Sequence, residues 1–375
     1  MKKALLVIEL YLLRGMMSFI YFFIKLFPMQ KNRVVMISRQ SNNINIDFKL
    51  LQEKLIEDKN IKVKILCKIL PKDLWGKFKY CFFIIKCMYY LSISRVCFVD
   101  GYVIPVCALK HKKKLIIIQV WHAMGAIKKF GKQILNKKEG SKEELAKIMK
   151  MHQNYTYITC TSNKTKEFYS EAFATNLNKI LVLGMPRVDY LLDENKEIIS
   201  NIKEQYPYLK ERKTILYVPT FRKGKKSHVD DVISKVDTKK YNLIVRLHPL
   251  ERNEIDEKYI IDNKYSTMDL LKISDYIITD YSAIAIEAVV LNKPVFFYLY
   301  DIKEYEENRG LNINLKEEMP DFTCSSICDI INKIDNEDYQ MNEIKQFREK
   351  YVETANKNNT EQIVNYVLNI MKEEN

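Results

Sequence analysis

Polar side chains suited to binding a phosphorylated ligand follow three short apolar runs in the second half of the chain. Ligands of an open parallel α/β sheet bind beyond the carboxyl ends of its strands. Guanidinium groups there can hold phosphate oxygens bidentately, and hydroxyls and imidazoles add hydrogen bonds. The sequence therefore favours a diphosphate site. The candidate residues are Thr220 and Arg222 in VPTFR, Arg246 and His248 in VRLHP, and Thr279, Asp280 and Ser282 in ITDYSAIAIEA.

The last of these motifs also predicts the start of a helix. A helix N terminus offers unpaired backbone N–H groups and the positive end of the helix dipole, which suit a phosphate. Ser282 can cap this helix, Ala283 offers its N–H, and Glu287 lies further into the helix. Taken singly, Ser282 could be only a cap, Arg222 a solvated charge, Glu287 a surface carboxylate and His248 a loop histidine. Their shared position at strand ends favours the site.

A second polar feature is WHAMGAIKKFG in the first half of the chain. His122 follows the apolar run LIIIQVW, and the loop after it carries two glycines with Lys128 and Lys129 between them. A histidine at the mouth of a strand, followed by a basic loop, is a second candidate for chemistry. The alternative is a histidine packed beside Trp121.

The elements that position these residues are ten short apolar runs that alternate with helix-like segments. Buried parallel strands read as short runs rich in Val and Ile, and alternating β and α predicts parallel sheets. We expect an α/β protein of GT-B-like layout, with two doubly wound, Rossmann-like domains facing a central cleft. The predicted strands are 33–38, 62–67, 95–101, 114–121, 157–162 and 179–184 in one set, and 213–222, 242–249, 275–282 and 293–301 in the other.

The composition limits the classes of molecule that the protein is expected to bind. The chain has 375 residues with 61 Lys and Arg against 47 Asp and Glu, a formal charge of +14. A basic surface implies an anionic partner, but zinc-finger, basic-zipper and RNP-like patterns are absent, so we expect no nucleic acid. The eight cysteines fall mostly in apolar runs, as reduced buried thiols do.

The N-terminal segment favours attachment to a membrane surface. Glu9, Arg14 and Lys25 interrupt its apolar run, and no small-residue cleavage site follows, so a signal peptide is not expected. An interfacial helix that meets anionic headgroups fits better, and residues 74–95 have the same basic, aromatic-rich character. A first helix packed in the core is the alternative.

Six motifs in order resemble the CDP-glycerol glycerophosphotransferase family of teichoic acid synthesis, over roughly residues 33–315. With SRQSNNINIDFKLL near the start, the chain is most similar to the primase branch. Ala123 and Ala283 stand where many members have Gly and Ser. The motifs are WHAMGAIKKFG, GMPRVDYL, YVPTFR, RLHP, ISDYIITDYSAIAIEAVVLNKPVFFYLYD and NRGLNIN.

The resemblance implies an activity and a set of roles. The enzyme would transfer glycerol phosphate from CDP-glycerol to a hydroxyl of an undecaprenyl-diphosphate-linked aminosugar disaccharide, releasing CMP. His122 would be the general base, since a neutral imidazole with an unperturbed pKa of about 6.5 suits that role. His248 would act on the diphosphate beside the donor-binding residues, and Glu287 would be a candidate for ribose or glycerol hydroxyls. The acceptor-binding residues would be Lys128, Lys129 and Arg187, and the two lysines could face either the acceptor's phosphates or the membrane.

The sequence pattern and the resemblance together give expectations for domains, cofactors and location. Residues 1–30 would form the amphipathic segment, 31–195 the acceptor domain, 196–355 the donor domain and 356–375 a C-terminal helix. We expect no cofactor and no protein-held metal, any Mg²⁺ arriving on the diphosphate. The enzyme would work at the cytoplasmic face of the cell membrane, as a peripheral protein beside other teichoic acid enzymes.

Three alternatives stay open. A polymerase, or a ribitol-phosphate transferase using CDP-ribitol, would have the same fold and donor site. A non-catalytic, membrane-bound anion-binding assembly protein would need neither His122 nor His248. A nucleic-acid binder would retain duplex DNA more tightly than anionic liposomes.

Overall fold

The computed structural model describes residues 2–222, 227–247, 251, 255–356 and 358–373. Every pairing between its strands is parallel. The strands are β1 (Gln30–Ser38), β2 (Lys62–Cys67), β3 (Ser94–Val99), β4 (Ile116–Gln119), β5 (Tyr157–Cys160), β6 (Ile180–Val182), β7 (Thr214–Val218), β8 (Asn242–Val245), β9 (Tyr276–Thr279), β10 (Val295–Tyr298) and β11 (Thr323–Cys324).

The helices lie between the strands and at both ends of the described chain. They are α1 (Lys2–Ile24), α2 (Ile46–Leu55), α3 (Leu74–Ile93), α4 (Ile104–Ala108), α5 (Glu143–Ile148), α6 (Asn163–Phe173), α7 (Pro186–Leu192), α8 (Lys196–Gln205), α9 (Val229–Lys235), α10 (Thr267–Ile273), α11 (Ile284–Val290), α12 (Ile302–Asn308), α13 (Leu315–Glu318), α14 (Ile327–Asn336), α15 (Met341–Tyr351) and α16 (Asn359–Glu373).

The expected α/β class with two parallel sheets is confirmed. Each of the ten predicted runs contains a strand, and the two-residue β11 was missed. The first sheet has the order β2-β1-β3-β4-β5-β6 and the second β11-β10-β9-β7-β8. In each sheet the second strand is added on one side of the first strand and the third strand on its other side. The strand order therefore reverses between β1 and β3 in the first sheet, and between β7 and β9 in the second. Such switch points are where open α/β sheets bind ligands.

The chain divides into two compact units. Unit 1 contains Met1–Ala123, Phe130–Asp189 and Asn358–Asn375, and unit 2 contains Met124–Lys129 and Tyr190–Lys357. The short segment Met124–Lys129 thus belongs to unit 2, although its neighbours in sequence on both sides belong to unit 1. Helix α16, set apart by sequence as residues 356–375, packs in unit 1 against α2.

Burial on both faces explains the sequence of the central strands. All four residues of β4 and all six of β3 are buried, so β-branched and apolar residues fill them rather than an alternating pattern. One cluster of unit 1 joins the side chains of β1, β3 and β4 to those of α2 and α16. The eight cysteines are free thiols, five of them buried.

The first and third helices carry most of the exposed large apolar side chains. On α1, Met17 and Tyr21 are buried, the Arg14 Nη1 donates to the Ile148 oxygen at 2.7 Å, and the Tyr21 hydroxyl lies 2.9 Å from His111 Nδ1. One face of α1 therefore packs on the body of unit 1. By length and composition alone, residues Ala4–Ile24 would also suffice to cross a membrane. The exposed side chains of α1 and α3 include Leu5, Ile8, Leu12, Met16, Phe19, Phe22, Phe23, Leu74, Trp75, Phe78 and Phe82.

Candidate functional site

A buried aspartate joins the two strands at the switch point of unit 2. Asp280 follows β9, and its Oδ1 accepts the backbone N–H groups of Thr220 at 2.9 Å and of Tyr281 at 2.7 Å. The Thr279 hydroxyl donates to the Val218 oxygen at 2.6 Å. Thr279 and Asp280 are both buried. They therefore fix the loop after β7 against the turn into α11.

Beside this turn lies a pocket of about 910 Å³. It contains four of the residues predicted from the sequence: Thr220, Arg246, Ser282 and Lys128. The Thr220 Oγ1 is buried without a hydrogen-bond partner among the described residues. The rest of the lining includes apolar and aromatic side chains, such as Val218, Phe221, Ile255, Ile260 and Tyr265. A pocket with an apolar wall and a few convergent polar groups is typical of small-ligand sites.

Arg246 is oriented in this pocket by the segment before α10. One of its terminal nitrogens donates to the Asn263 side chain, and the other donates to the Tyr265 oxygen at 3.1 Å. Burial lowers the pKa of Arg246, and the Asp262 charge opposes this shift. Neither Asn263 nor Tyr265 was singled out by sequence. Each precedes α10 in a loop without an apolar pattern.

Arg222 lies in a different environment from the expected one. It is buried, and its guanidinium pairs with Asp280 at 2.8 Å and with Asp301 at 3.0 Å. The Tyr300 hydroxyl is 2.5 Å from its Nη1, and three tyrosine rings lie within 5.5 Å of its guanidinium carbon. These partners hold Arg222 in the Asp280 turn, and its direct contact with a phosphate stays a prediction.

The remaining donor-site residues lie at the start of α11 or outside the described residues. Ala283 is the residue before the first turn of α11 and makes no side-chain cap, whereas the Ser282 Oγ accepts the Ile284 N–H at 3.4 Å, as the predicted capping role requires. Glu287 is buried in the first turn of that helix, which rules out the surface-carboxylate alternative. His248 lies outside the described residues.

The glycine-marked loop after His122 turns out to join the NRGLNIN motif. Lys128 pairs with Leu311 in an antiparallel bridge, the Lys129 N–H donates to the Gly310 oxygen at 2.9 Å, and the Asn312 N–H donates to the Ile127 oxygen at 2.8 Å. Lys128 was expected to face the acceptor or the membrane. The structure places it in the lining of the unit 2 pocket, because these backbone bonds hold its segment in unit 2.

In the same loop, position 125 has no room for a side chain, which explains the glycine there. Its φ is +65°, and an added Cβ would lie 2.8 Å from the Ile286 Cγ1. The loop therefore packs closely on α11, which only glycine at this position permits without strain.

In unit 1, His122 lies just beyond the carboxyl end of β4. Its Nδ1 is 2.8 Å from the main-chain oxygen of Asp100, and its ring lies 4.2 Å from that of Trp121. Trp121 has a φ of +58°, an uncommon conformation for a bulky residue that marks functional turns. Its N–H donates to the Gln119 side chain at 2.9 Å, which holds this turn.

Asp100 follows β3 and is fully buried. Its Oδ2 accepts the Ser38 hydroxyl at 2.6 Å and the Asn45 amide at 2.7 Å, while Oδ1 has no hydrogen-bond partner among the described residues. Burial raises the pKa of Asp100 to about 6, with the nearby Asp47 charge adding to the shift and the Ser38 bond opposing it. Asp100 was not among the residues predicted from the sequence, although a lone acid directly after a buried strand was a usable signal.

Arg187 is bound within unit 1 by a buried carboxylate. Its guanidinium pairs with Asp47 at 2.5 Å, and its backbone N–H donates to the same side chain at 2.9 Å. The Asp47 side chain is 1% exposed and that of Arg187 11%. Arg187 therefore joins α7 to α2, and this role is separate from the expected contact with an acceptor.

Within the part of the chain that the structure describes, no group of three or more His, Cys, Asp or Glu side chains could hold a metal ion.

Comparison with known proteins decides the family. The model of the family described as CDP-Glycerol:Poly(glycerophosphate) glycerophosphotransferase matches residues 19–369. The chain belongs to this family.

Two curated relatives of this glycerophosphotransferase family member are primases. A teichoic acid ribitol-phosphate primase of Bacillus spizizenii is 29% identical over 91% of this chain and 92% of its own length. A teichoic acid glycerol-phosphate primase of Bacillus subtilis is 31% identical over 77% of each chain. These similarities establish a teichoic acid phosphotransferase family and leave the particular alcohol open.

A solved structure has the same fold. The wall teichoic acid polymerase TagF, in a variant soaked with CDPG, matches with a TM-score of 0.75 over 100% of this chain and 98% of its own, at 20% identity. A UDP-GlcNAc 2-epimerase from Neisseria meningitidis matches with a TM-score of 0.55 at 13% identity. At these identities the likeness concerns the fold alone.

We predict that Arg222→Lys lowers the free energy of unfolding by about 2–4 kcal/mol, because lysine cannot pair with Asp280 and Asp301 together. Urea unfolding of the two proteins measures the difference. Arg212→Lys, at a more exposed arginine of the same unit, is the matched control and should change stability by less than about 1 kcal/mol. Unchanged stability with weakened CDP-glycerol binding would show that Arg222 contacts the ligand directly.

We predict that Asp100 makes the protein less stable as the pH rises from 4 to 7. The pKa of this carboxyl is about 6 in the fold against an ordinary 3.8, so between these values only the folded state keeps the proton and unfolding releases it. Relative to Asp100→Asn, the wild type should lose about 3 kcal/mol of unfolding free energy across this range. Parallel pH profiles of stability for the two proteins would contradict the burial of a titrating carboxyl.

Proposed function

We propose that this protein transfers glycerol phosphate from CDP-glycerol to a hydroxyl of a polyprenyl-diphosphate-linked aminosugar disaccharide, releasing CMP, as a primase. The observation that supports this most is the pocket at the switch point of unit 2, found in a chain that belongs to the glycerophosphotransferase family. The primase role is supported by the two primases among its relatives.

The donor would lie in the unit 2 pocket. Arg246 and Lys128 supply positive charge for the diphosphate, while the Thr220 and Ser282 hydroxyls supply hydrogen bonds. The apolar wall with Ile255, Ile260 and Tyr265 suits the base and ribose. Preorganised donors of this kind stabilise the charge that develops on the departing CMP.

His122 would act on the acceptor. Since a carbonyl oxygen can only accept, the contact with Asp100 requires a proton on Nδ1, and the basic lone pair is then on Nε2. Nε2 takes the proton of the attacking hydroxyl as its oxygen bonds to the β-phosphorus and the bond to CMP breaks. We propose no protein-held metal in this step, and a Mg²⁺ arriving on the diphosphate stays a prediction.

Ribitol phosphate is the second candidate for the transferred group. The ribitol-phosphate primase aligns over a larger share of this chain than the glycerol-phosphate primase does. The two donors share the CDP moiety, so the pocket described above would hold either one.

We expect a purified enzyme, given CDP-glycerol and a short-chain polyprenyl-diphosphate disaccharide, to add one glycerol phosphate by mass. His122→Asn should lower kcat by about 10²–10⁴-fold, the range of general base catalysis, with the Kd for CDP-glycerol unchanged. His228→Asn, at an exposed histidine, is the control. A ladder of products would indicate a polymerase, addition only from CDP-ribitol would indicate the second candidate, and no transfer from either donor would refute the proposal.

We also propose that α1 and α3 attach the enzyme to the anionic face of a membrane. Phe19 and Trp75 are each 67% exposed, which is costly in water. Lys77, Lys79 and Lys86 are exposed on the same helix as Trp75. Because Arg14 and Tyr21 hold α1 to the body of unit 1, the helix would lie on the surface of the bilayer and not across it.

The replacements Phe19→Glu and Trp75→Glu together should reduce sedimentation with vesicles containing anionic lipid by about tenfold or more, since each removes buried apolar area and adds a repelled charge. Leu177→Glu, at an exposed apolar residue outside these helices, should sediment as the wild type does. Equal sedimentation of all variants would place the membrane contact elsewhere.

A further inference from the structure

The switch point of unit 1 holds a chain of hydrogen bonds that ends beside His122. Strand β3 lies between β1 and β4 in the sheet, so Asp100 reaches both neighbours. Its carboxylate accepts the hydroxyl of Ser38, the last residue of β1, at 2.6 Å, and its main-chain oxygen lies 2.8 Å from His122 Nδ1 after β4. One residue thus positions both the loop after β1 and the imidazole.

Gln40 is the residue that this chain brings to the imidazole. Its backbone N–H donates to the Ser38 Oγ at 3.1 Å, and its side-chain nitrogen lies 3.4 Å from His122 Nδ1. Arg39, the residue before it, donates to the Tyr102 oxygen at 3.2 Å, so it does not share the contact with His122.

Gly101 makes room for this approach. An added Cβ at Gly101 would lie 2.8 Å from the Gln40 amide nitrogen and 3.7 Å from His122 Nδ1. The carboxamide and the ring therefore meet over a residue without a side chain. Gln40 is exposed and His122 half-buried, so this place is open to a ligand from solvent.

The Gln40 carboxamide can form hydrogen bonds with a bound ligand. His122 Nδ1 donates its proton to the main-chain oxygen of Asp100. The Gln40 carboxamide, whose nitrogen lies 3.4 Å from Nδ1, can therefore still form hydrogen bonds with another group. A carboxamide both donates and accepts, which matches hydroxyl and acetamido groups of sugars. The bond from the Gln40 backbone N–H to Ser38 fixes the main chain that carries this carboxamide, which reduces the entropy lost when such a group binds.

We propose that Gln40 is an acceptor-binding residue, whose carboxamide holds the polar group next to the hydroxyl that His122 deprotonates, with Asp100 as the positioning residue for both. This inference rests on the proposed function, because it assigns the acceptor to the site of His122. It adds a residue that none of the matched relatives' names or the family description assigns.

Two measurements with a soluble short-chain polyprenyl-diphosphate disaccharide test it: calorimetric binding and steady-state transfer from CDP-glycerol. Gln40→Ala should weaken binding and raise the KM for the disaccharide about tenfold, the loss of one hydrogen bond with a polar partner. The KM for CDP-glycerol and its slow hydrolysis without acceptor should stay within twofold. Asn43→Ala, an exposed amide of the same loop, is the matched control.

Asp100→Ala should raise the same KM, and adding it to Gln40→Ala should have little further effect, because both act through one amide. Asp100→Asn keeps an oxygen for Ser38 and should remain near the wild type. Gln40→Ala equal to Asn43→Ala in binding and transfer would overturn this inference alone. A wild type that neither binds the disaccharide nor transfers to it would overturn both this inference and the proposed function.

Discussion

A buried aspartate at the end of the third strand of each sheet organises the molecule's two polar sites. Asp100 follows β3 and Asp280 follows β9, and in both sheets that strand lies beside the first strand of its unit. Each carboxylate accepts a hydrogen bond from the carboxyl end of the first strand of its unit, from Ser38 as the last residue of β1 and from Thr220 just after β7. Because parallel strands end at one edge, a single acid there can fix two loops at once.

The two aspartates differ in how their charge is compensated. Asp280 has the buried Arg222 as its partner at 2.8 Å, and the tyrosines around Arg222 complete that environment. Asp100 has only neutral donors on Oδ2 and a raised pKa. Burial of a carboxylate without a paired cation is costly, so Asp100 lowers the stability of the fold while it holds His122 in position. The positive φ of Trp121, in the turn that carries His122, is also energetically unfavourable and also fixes the position of the imidazole.

Some of the residues predicted to bind the ligand lie together in one pocket, and others are held in buried ion pairs. Thr220, Arg246 and Ser282 do line one pocket, as residues at adjacent strand ends should. Arg222 shares their motif but is turned into a buried ion pair, and Arg187 pairs with Asp47. Residue type and spacing could not separate these cases, since an arginine after a strand looks the same whether its partner is a phosphate or a carboxylate distant in sequence.

The sequence by itself determined the positions of ten strands, the two-sheet α/β class and the family, because buried runs and ordered motifs are local properties of the chain. Only the tertiary structure decided which strand ends lie side by side, and with that the pairing of GAIKK with RGLN, the place of Lys128 in unit 2 and the approach of Gln40 to His122. Strand order is set by how crossover helices pack on a sheet, which depends on contacts between residues far apart in sequence. The role of a single polar residue such as Asp100 after β3 can therefore be inferred only when its neighbours across the sheet are known.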